Sequence, residues 1–221
     1  MKQMLTDIKI FEELLKRYPE LQVCADEIWS AYEALVDTHK KNGTLLVAGN
    51  GGSAADSDHI VGELMKSFRI QRSIAPKYRS VFKELFGEDG AKLYEGLEGA
   101  IPAISLPSIS GLFTAYSNDR DPKMVFAQMV YGYGRENDAF LGISTSGNSL
   151  NIILAFMVAK AKKLKTIALT GRTGGRCSEY ADIVIRVPSD ETFSIQELHL
   201  PIYHALCAME EAYFFQAKCV E

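Results

Sequence analysis

The feature that most restricts this chain is a unit that occurs twice: a short apolar run without polar alternation, a loop of Gly, Ser and Asn, and then a helical pattern. Thr44-Leu45-Leu46-Val47-Ala48 runs into Gly49-Asn50-Gly51-Gly52-Ser53 and a helix expected from about Ala54 to Phe68. Ala139-Phe140-Leu141-Gly142-Ile143 runs into Ser144-Thr145-Ser146-Gly147-Asn148-Ser149 and a helix expected to reach about Leu164. Strands that are apolar throughout need cover on both faces, and strands alternating with helices imply a parallel sheet. Three more runs extend it: Thr166 to Leu169, Asp182 to Val187, and Ala100 to Ser105, the last interrupted by Pro102. The expected fold class is α/β, one domain with a five-stranded parallel sheet and helices on both faces.

Two amphipathic helices precede the sheet. Leu5, Ile8, Phe11 and Leu15 share one face of the first, and Ile28, Tyr32, Leu35, Val36 and His39 share one face of the second. A long helix from about Phe193 to Lys218 closes the chain. The formal net charge is -4 and no long basic run occurs, so nothing points to a nucleic-acid partner. An anionic substrate must therefore be held by local features, with backbone N–H groups and helix N-termini the obvious ones. No apolar run approaches the ~20 residues of a membrane span, and the opening MKQMLTDIKIFEELLKRYPE is too acidic for a signal peptide. A cytoplasmic protein is expected. Cys24, Cys177, Cys207 and Cys219 contain no C-x-x-C pair and read as reduced thiols.

In a parallel α/β sheet, ligands sit outside the carboxyl ends of the strands, where both Gly/Ser/Asn loops fall. Each loop opens a helix, so the helix dipole and close backbone approach suit a phosphate. Neither loop has the Walker G-K-[ST] ending or the G-x-G-x-x-G spacing. Each can also be read as a tight strand-to-helix turn with a good cap. His59 and Glu63, four apart on the helix after the first loop, face the same way and can chelate one metal or share a proton; an exposed helix pair is the plain alternative. Gln196 and His204 on the last helix are eight apart, about 12 Å along the axis, and Gln is not a usual zinc ligand. Spacing alone therefore makes them a poor metal pair. His199 between them reads as a helix-surface residue or one that backs the ligands. No Ser-His-Asp order, nucleophile elbow or H-E-x-x-H occurs.

Three segments together resemble the signatures of phosphoheptose isomerases, within the sugar isomerase (SIS) fold. They are Ala48 to Asp56 around Gly49-Asn50-Gly51-Gly52-Ser53, Gly142 to Ser149, and Ile195-Gln196-Glu197-Leu198-His199. The resemblance implies a flavodoxin-like sheet and a homotetramer, with sites at subunit contacts built with the N-terminal helices (residues 1–42). It implies zinc held by His59, Glu63, Gln196 and His204. It further implies a substrate phosphate held by Ser53, Ser144, Thr145, Ser146 and Ser149, and a sugar touched by Asn50, Gly51, Gly52, Asn118, Asp119 and Gln196. The implied reaction converts sedoheptulose 7-phosphate to the aldose heptose 7-phosphate through an enediol, with Glu63 and His204 shuttling the proton. The chain departs from the pattern at residues 69–99, an insertion expected to hold a helix or two, and at Ile109 and Phe193. Another phosphosugar as ligand, or a regulator like the SIS-fold protein that binds the replication initiator, are the competing readings.

Overall fold

The computed structural model describes residues 2–216, so Cys219 and the end of the last expected helix lie outside the described residues. Helices α1 (Lys2–Arg17) and α2 (Ala25–Lys40) precede strand β1 (Leu45–Ala48). Then come α3 (Gly52–Met65), α4 (Lys77–Gly96), β2 (Ala103–Ser105), α5 (Ser110–Asp119), α6 (Val125–Tyr133) and β3 (Ala139–Ser144). The chain continues through α7 (Leu150–Ala161), β4 (Lys165–Thr170), β5 (Ile183–Arg186) and α8 (Thr192–Phe215). The strands form one sheet in the order β2-β1-β3-β4-β5, with every pairing parallel. This is the flavodoxin-like doubly wound order, in which the winding reverses between β1 and β3.

The apolar runs behave as two-sided strands. Leu45, Val47, Leu141 and Ile143 turn to a core shared with α1, α2, α3 and α8. Their neighbours Leu46, Ala48 and Phe140 turn to the opposite core, with Phe126 and Val130 of α6 and Ile152 and Phe156 of α7. Side-chain alternation across the pleat thus feeds two apolar layers from one run of sequence. Helices α3 and α8 lie in the same layer and pack against each other. The strand expected over 100–105 is shorter because Pro102 has no N–H to give a ladder; its carbonyl instead accepts from the Leu45 amide at 3.0 Å.

The insertion is helical, as expected, but it is one element bent at Gly87, whose φ of 59° breaks α4 into two arms. The arms touch where Gly90 meets the Phe82 carbonyl and where the Arg79 guanidinium lies 6.0 Å from the Tyr94 ring centroid. Its large apolar side chains stay exposed, Leu85 at 65% and Phe86 at 57%. Its base is different. Arg72, which by composition belongs with the cationic residues of the insertion, is fully buried against Glu211 of α8.

His199 corrects an expectation. It is fully buried rather than on the helix surface. Burial holds its pKa down at about 4, against a backbone hydrogen bond at Thr170, so the ring is neutral. Cys24, Cys177 and Cys207 are buried and unpaired, and burial raises the thiols of Cys24 and Cys177 to about 11. None is a nucleophile at neutral pH.

Candidate active site

Both Gly/Ser/Asn loops lie at the carboxyl ends of β1 and β3, beside the winding reversal. They are joined there by a residue that sequence reasoning did not single out. Asn50 donates its amide to Asn151 Oδ1 at 3.0 Å, and Asn151 donates its own to Asn50 Oδ1 at 2.8 Å. Asn151 sits in the first turn of α7, and its position just after Ser149 was the only signal for it.

The second loop is held by its own hydrogen bonds and by a turn behind it. Ser144 Oγ donates to Ser149 Oγ at 3.1 Å, the Asn148 amide N–H donates to Ser146 Oγ at 3.1 Å, and the Gly147 N–H donates to the Ser144 carbonyl at 3.0 Å. A turn after β4 backs it: the Cys177 N–H donates to the Gly147 carbonyl at 2.9 Å, and the Arg176 N–H to Asn148 Oδ1 at 3.1 Å. Gly147 has φ +64°, and a Cβ there would come within 2.0 Å of the Gly174 carbonyl oxygen. Only glycine fits that approach. Ser149 stands at the N-cap of α7 with its hydroxyl not spent on capping. Ser53 is buried at the start of α3, its N–H bonded to the Asn50 carbonyl at 3.0 Å. Ser53, Ser144, Thr145, Ser146 and Ser149 therefore sit on two neighbouring loops, and no Lys or Arg occurs within 144–149.

His59, Glu63 and His204 come together across the α3–α8 contact. His59 Nε2 lies 3.2 Å from Glu63 Oε1 and 3.4 Å from His204 Nε2. The other His59 nitrogen, Nδ1, lies 3.0 Å from the Tyr203 hydroxyl, which donates to Asp56 Oδ1 at 3.2 Å. With its proton committed to Asp56, the Tyr203 oxygen accepts from His59 Nδ1–H. Nε2 is then the His59 nitrogen that faces Glu63 and His204. Burial and the neighbouring His59 hold His204 below its ordinary pKa, with Glu63 pulling the other way. Burial raises Asp56, against the Tyr203 hydrogen bond and the charge of His59. Asp56 and Tyr203 were missed as supporting groups; their only signal is adjacency to His59 and His204 in the chain.

Gln196 lies at the other end of the α3–α8 contact, where a Cβ on Gly52 would meet its amide nitrogen at 2.6 Å. Gly51 is exposed, with φ +55° at the N-cap of α3. Asn118 and Asp119 are exposed at the end of α5, and the hydrogen bond between them, Asn118 Nδ2 to Asp119 Oδ1, is 3.0 Å long.

The donor set can be tested against a zinc ion. With Zn–N of ~2.0–2.1 Å, the edge between two ligand atoms of a tetrahedral site is about 3.3 Å. The separations around His59 Nε2 match that edge. They do not enclose a full site: among the described residues, no group of three or more His, Cys, Asp or Glu is arranged to hold an ion.

Comparison with known proteins places this geometry. Residues 110–209 match the SIS domain. The phosphoheptose isomerase of Clostridium acetobutylicum is 34% identical over 219 residues, 99% of this chain and 96% of the relative. The chain belongs to the phosphoheptose isomerase family. A second member, from Aneurinibacillus thermoaerophilus, is 36% identical over 84% of this chain and 80% of its own. Among solved structures, a phosphoheptose isomerase from Francisella tularensis superposes with TM-score 0.72 at 30% identity, covering 95% of this chain and 98% of that one. The Neisseria gonorrhoeae phosphoheptose isomerase gives 0.69 at 28%, covering 94% of each. Membership makes this protein a sugar-phosphate isomerase. The family likeness spans the first loop and α3 as well, which lie before the matched SIS segment. Among the described residues, no helix is long and apolar enough to cross a membrane.

Proposed function

We propose that the protein interconverts sedoheptulose 7-phosphate and the aldose heptose 7-phosphate, with the phosphate on the 144–149 loop and the C1–C2 end at His59, Glu63 and His204. The observation that carries this reading is the convergence of His59, Glu63 and His204 in the helix layer that starts at the phosphate-type loops. Six residues of helix separate Ser53 from His59, about 9 Å along the axis. That span suits an extended phosphosugar whose reacting carbons are remote from its phosphate, as C1 and C2 are in a 7-phosphate.

The chemistry needs one proton to leave C1 and one to arrive at C2, while another passes from O1 to O2. Glu63 takes the C1 proton as the enediol forms. His204, kept neutral by its surroundings, exchanges the proton between the oxygens or returns one to carbon. Such positioned acid–base groups contribute roughly 10²–10⁴-fold each. The Asp56–Tyr203–His59 chain holds the His59 ring in one orientation so that Nε2 points into the cluster. Zinc is part of the proposal, with His59, Glu63, Gln196 and His204 as the residues that would hold it; when bound, the ion would stabilise negative charge on the substrate oxygens. Gln196, packed against Gly52 of the first loop, would also touch the sugar. Assembly as a homotetramer, with α1 and α2 at subunit contacts, completes the proposal.

The test is turnover of a panel of five-, six- and seven-carbon ketose phosphates by the purified protein in heavy water. Sedoheptulose 7-phosphate is expected to give the highest kcat/KM, with deuterium at C2 of the aldose. Preference for a shorter ketose phosphate would reassign the substrate, and no turnover on any of them would end the enzymatic reading.

A further inference from the structure

We infer that Arg72, at the base of the inserted segment, is a positioning residue for the isomerisation: with Glu211 it locks the end of α3 that carries Glu63 against the helix that carries His204. The inference rests on the proposed roles of Glu63 and His204. It is carried by a buried network in which every arm of the guanidinium is committed.

The Arg72 side chain is 0% exposed and that of Glu211 1%. Arg72 Nε donates to Glu211 Oε1 at 2.7 Å, Nη1 to the Leu64 carbonyl at 2.6 Å, and Nη2 to the Glu63 carbonyl at 2.8 Å. Those carbonyls belong to the last turn of α3, where a helix leaves its C=O groups without internal partners and where a cation is favoured by the helix dipole. One planar fork thus caps the turn containing Glu63 while gripping α8, a task the point charge of a lysine cannot repeat.

Glu211 is equally committed. Oε1 also accepts from the Phe68 N–H at 2.8 Å, and Oε2 accepts from Arg69 N–H at 2.7 Å and Ile70 N–H at 3.2 Å. The carboxylate therefore wraps the turn that leaves α3. Glu211 is seven residues beyond His204, two turns of helix, so both project from the same side of α8. The clamp fixes where the Glu63 backbone stands relative to His204. It also closes the insertion's base: the Arg72 carbonyl accepts from the Gly99 N–H at 3.0 Å, and Ser67 Oγ accepts from the Arg72 N–H at 2.9 Å. The same end of α3 is also tied to the far side of the insertion, where the Ser67 N–H donates to Glu98 Oε2 at 2.8 Å and the Ile101 N–H to the Leu64 carbonyl at 2.9 Å.

Removing one partner would strand a buried charge and threaten folding, so the test replaces both together or keeps the charge. The double variant Arg72→Met with Glu211→Leu leaves no unpaired ion. On sedoheptulose 7-phosphate it is expected to fold, hold KM within about 3-fold, and lose kcat by at least ~10-fold, since small misplacement of a reacting group costs up to 10²-fold. Arg72→Lys alone is expected to lose kcat about 10-fold in the wild-type background and to lose nothing further in a Glu63→Gln background, because its effect runs through Glu63. A merely structural role would lower activity equally in both backgrounds. Wild-type kcat in the folded double variant, or additive losses for Arg72→Lys, would overturn the inference. If the double variant does not fold, the Arg72→Lys cycle decides alone. Full activity of Glu63→Gln itself would instead remove the underlying role of Glu63, a separate failure visible in the same data.

Discussion

The two halves of the candidate site are built in opposite ways. The 144–149 loop is a backbone structure: its shape is set by Gly147, by hydrogen bonds among Ser144, Ser146, Asn148 and Ser149, and by a second turn behind it. The cluster of His59, Glu63 and His204 is a side-chain structure. It depends on two helices meeting, on Tyr203 and Asp56 to aim one ring, and on Arg72 and Glu211 to hold the helices in place. A neutral, pre-shaped loop suits a group that must be held identically in substrate, enediol and product. Titratable groups on movable arms suit protons that change place. The difference predicts that damage to the loop appears in KM and damage to the cluster in kcat.

The largest effect that sharpens this contrast is on the loop. Ser146→Ala combined with Ser149→Ala is expected to raise KM at least ~10²-fold, because each hydrogen bond to a charged group contributes about 1.5–3 kcal/mol. Folding should survive, since the Ser149 hydroxyl does not cap α7. Steady-state kinetics with unchanged KM would break the assignment of the phosphate to this loop.

A smaller effect probes the cluster. Tyr203→Phe frees His59 Nδ1 from its acceptor and is expected to weaken zinc binding by roughly 10–100-fold, the usual cost of losing such an outer partner. Titration of the metal-free protein with zinc measures this without any reaction. KM for the phosphosugar should stay near wild type.

The smallest kinetic effect belongs to a residue of the same helix that faces neither half. His199 has a folded pKa of about 4 against ~6.5 unfolded, so the unfolded chain takes up the proton first. The stability this ring allows is present above about pH 6.5 and is lost as pH falls through about 4, amounting to about 3 kcal/mol. Denaturant unfolding between pH 7 and 4 should show that slope, and His199→Leu should flatten it with little change in kcat.

The contrast also explains what could be read from sequence. The strands and loops were readable because apolar runs and Gly/Ser/Asn turns are local patterns with local causes. The phosphate-type loops fell at strand ends beside the winding reversal, as parallel-sheet logic requires. His59 and Glu63 were readable as a pair because four-residue spacing is local too. What could not be read is what spans the chain. Arg72 and Glu211 are 139 residues apart, and nothing local in the insertion sets Arg72 apart from its other cations. Tyr203 carries no local signal either. Gln196 and His204 were expected at one metal from family likeness alone, since eight residues of helix give no local signal for the pairing. The bend at Gly87 had no periodic signal at all.

The most direct test of the central claim is kcat for Glu63→Gln on sedoheptulose 7-phosphate, with zinc present and metal content measured. The substitution keeps size and an oxygen donor but removes the base. The account predicts a fall of at least ~10²-fold in kcat with KM little changed. A folded, zinc-loaded Glu63→Gln protein that turns over at the wild-type rate would contradict it.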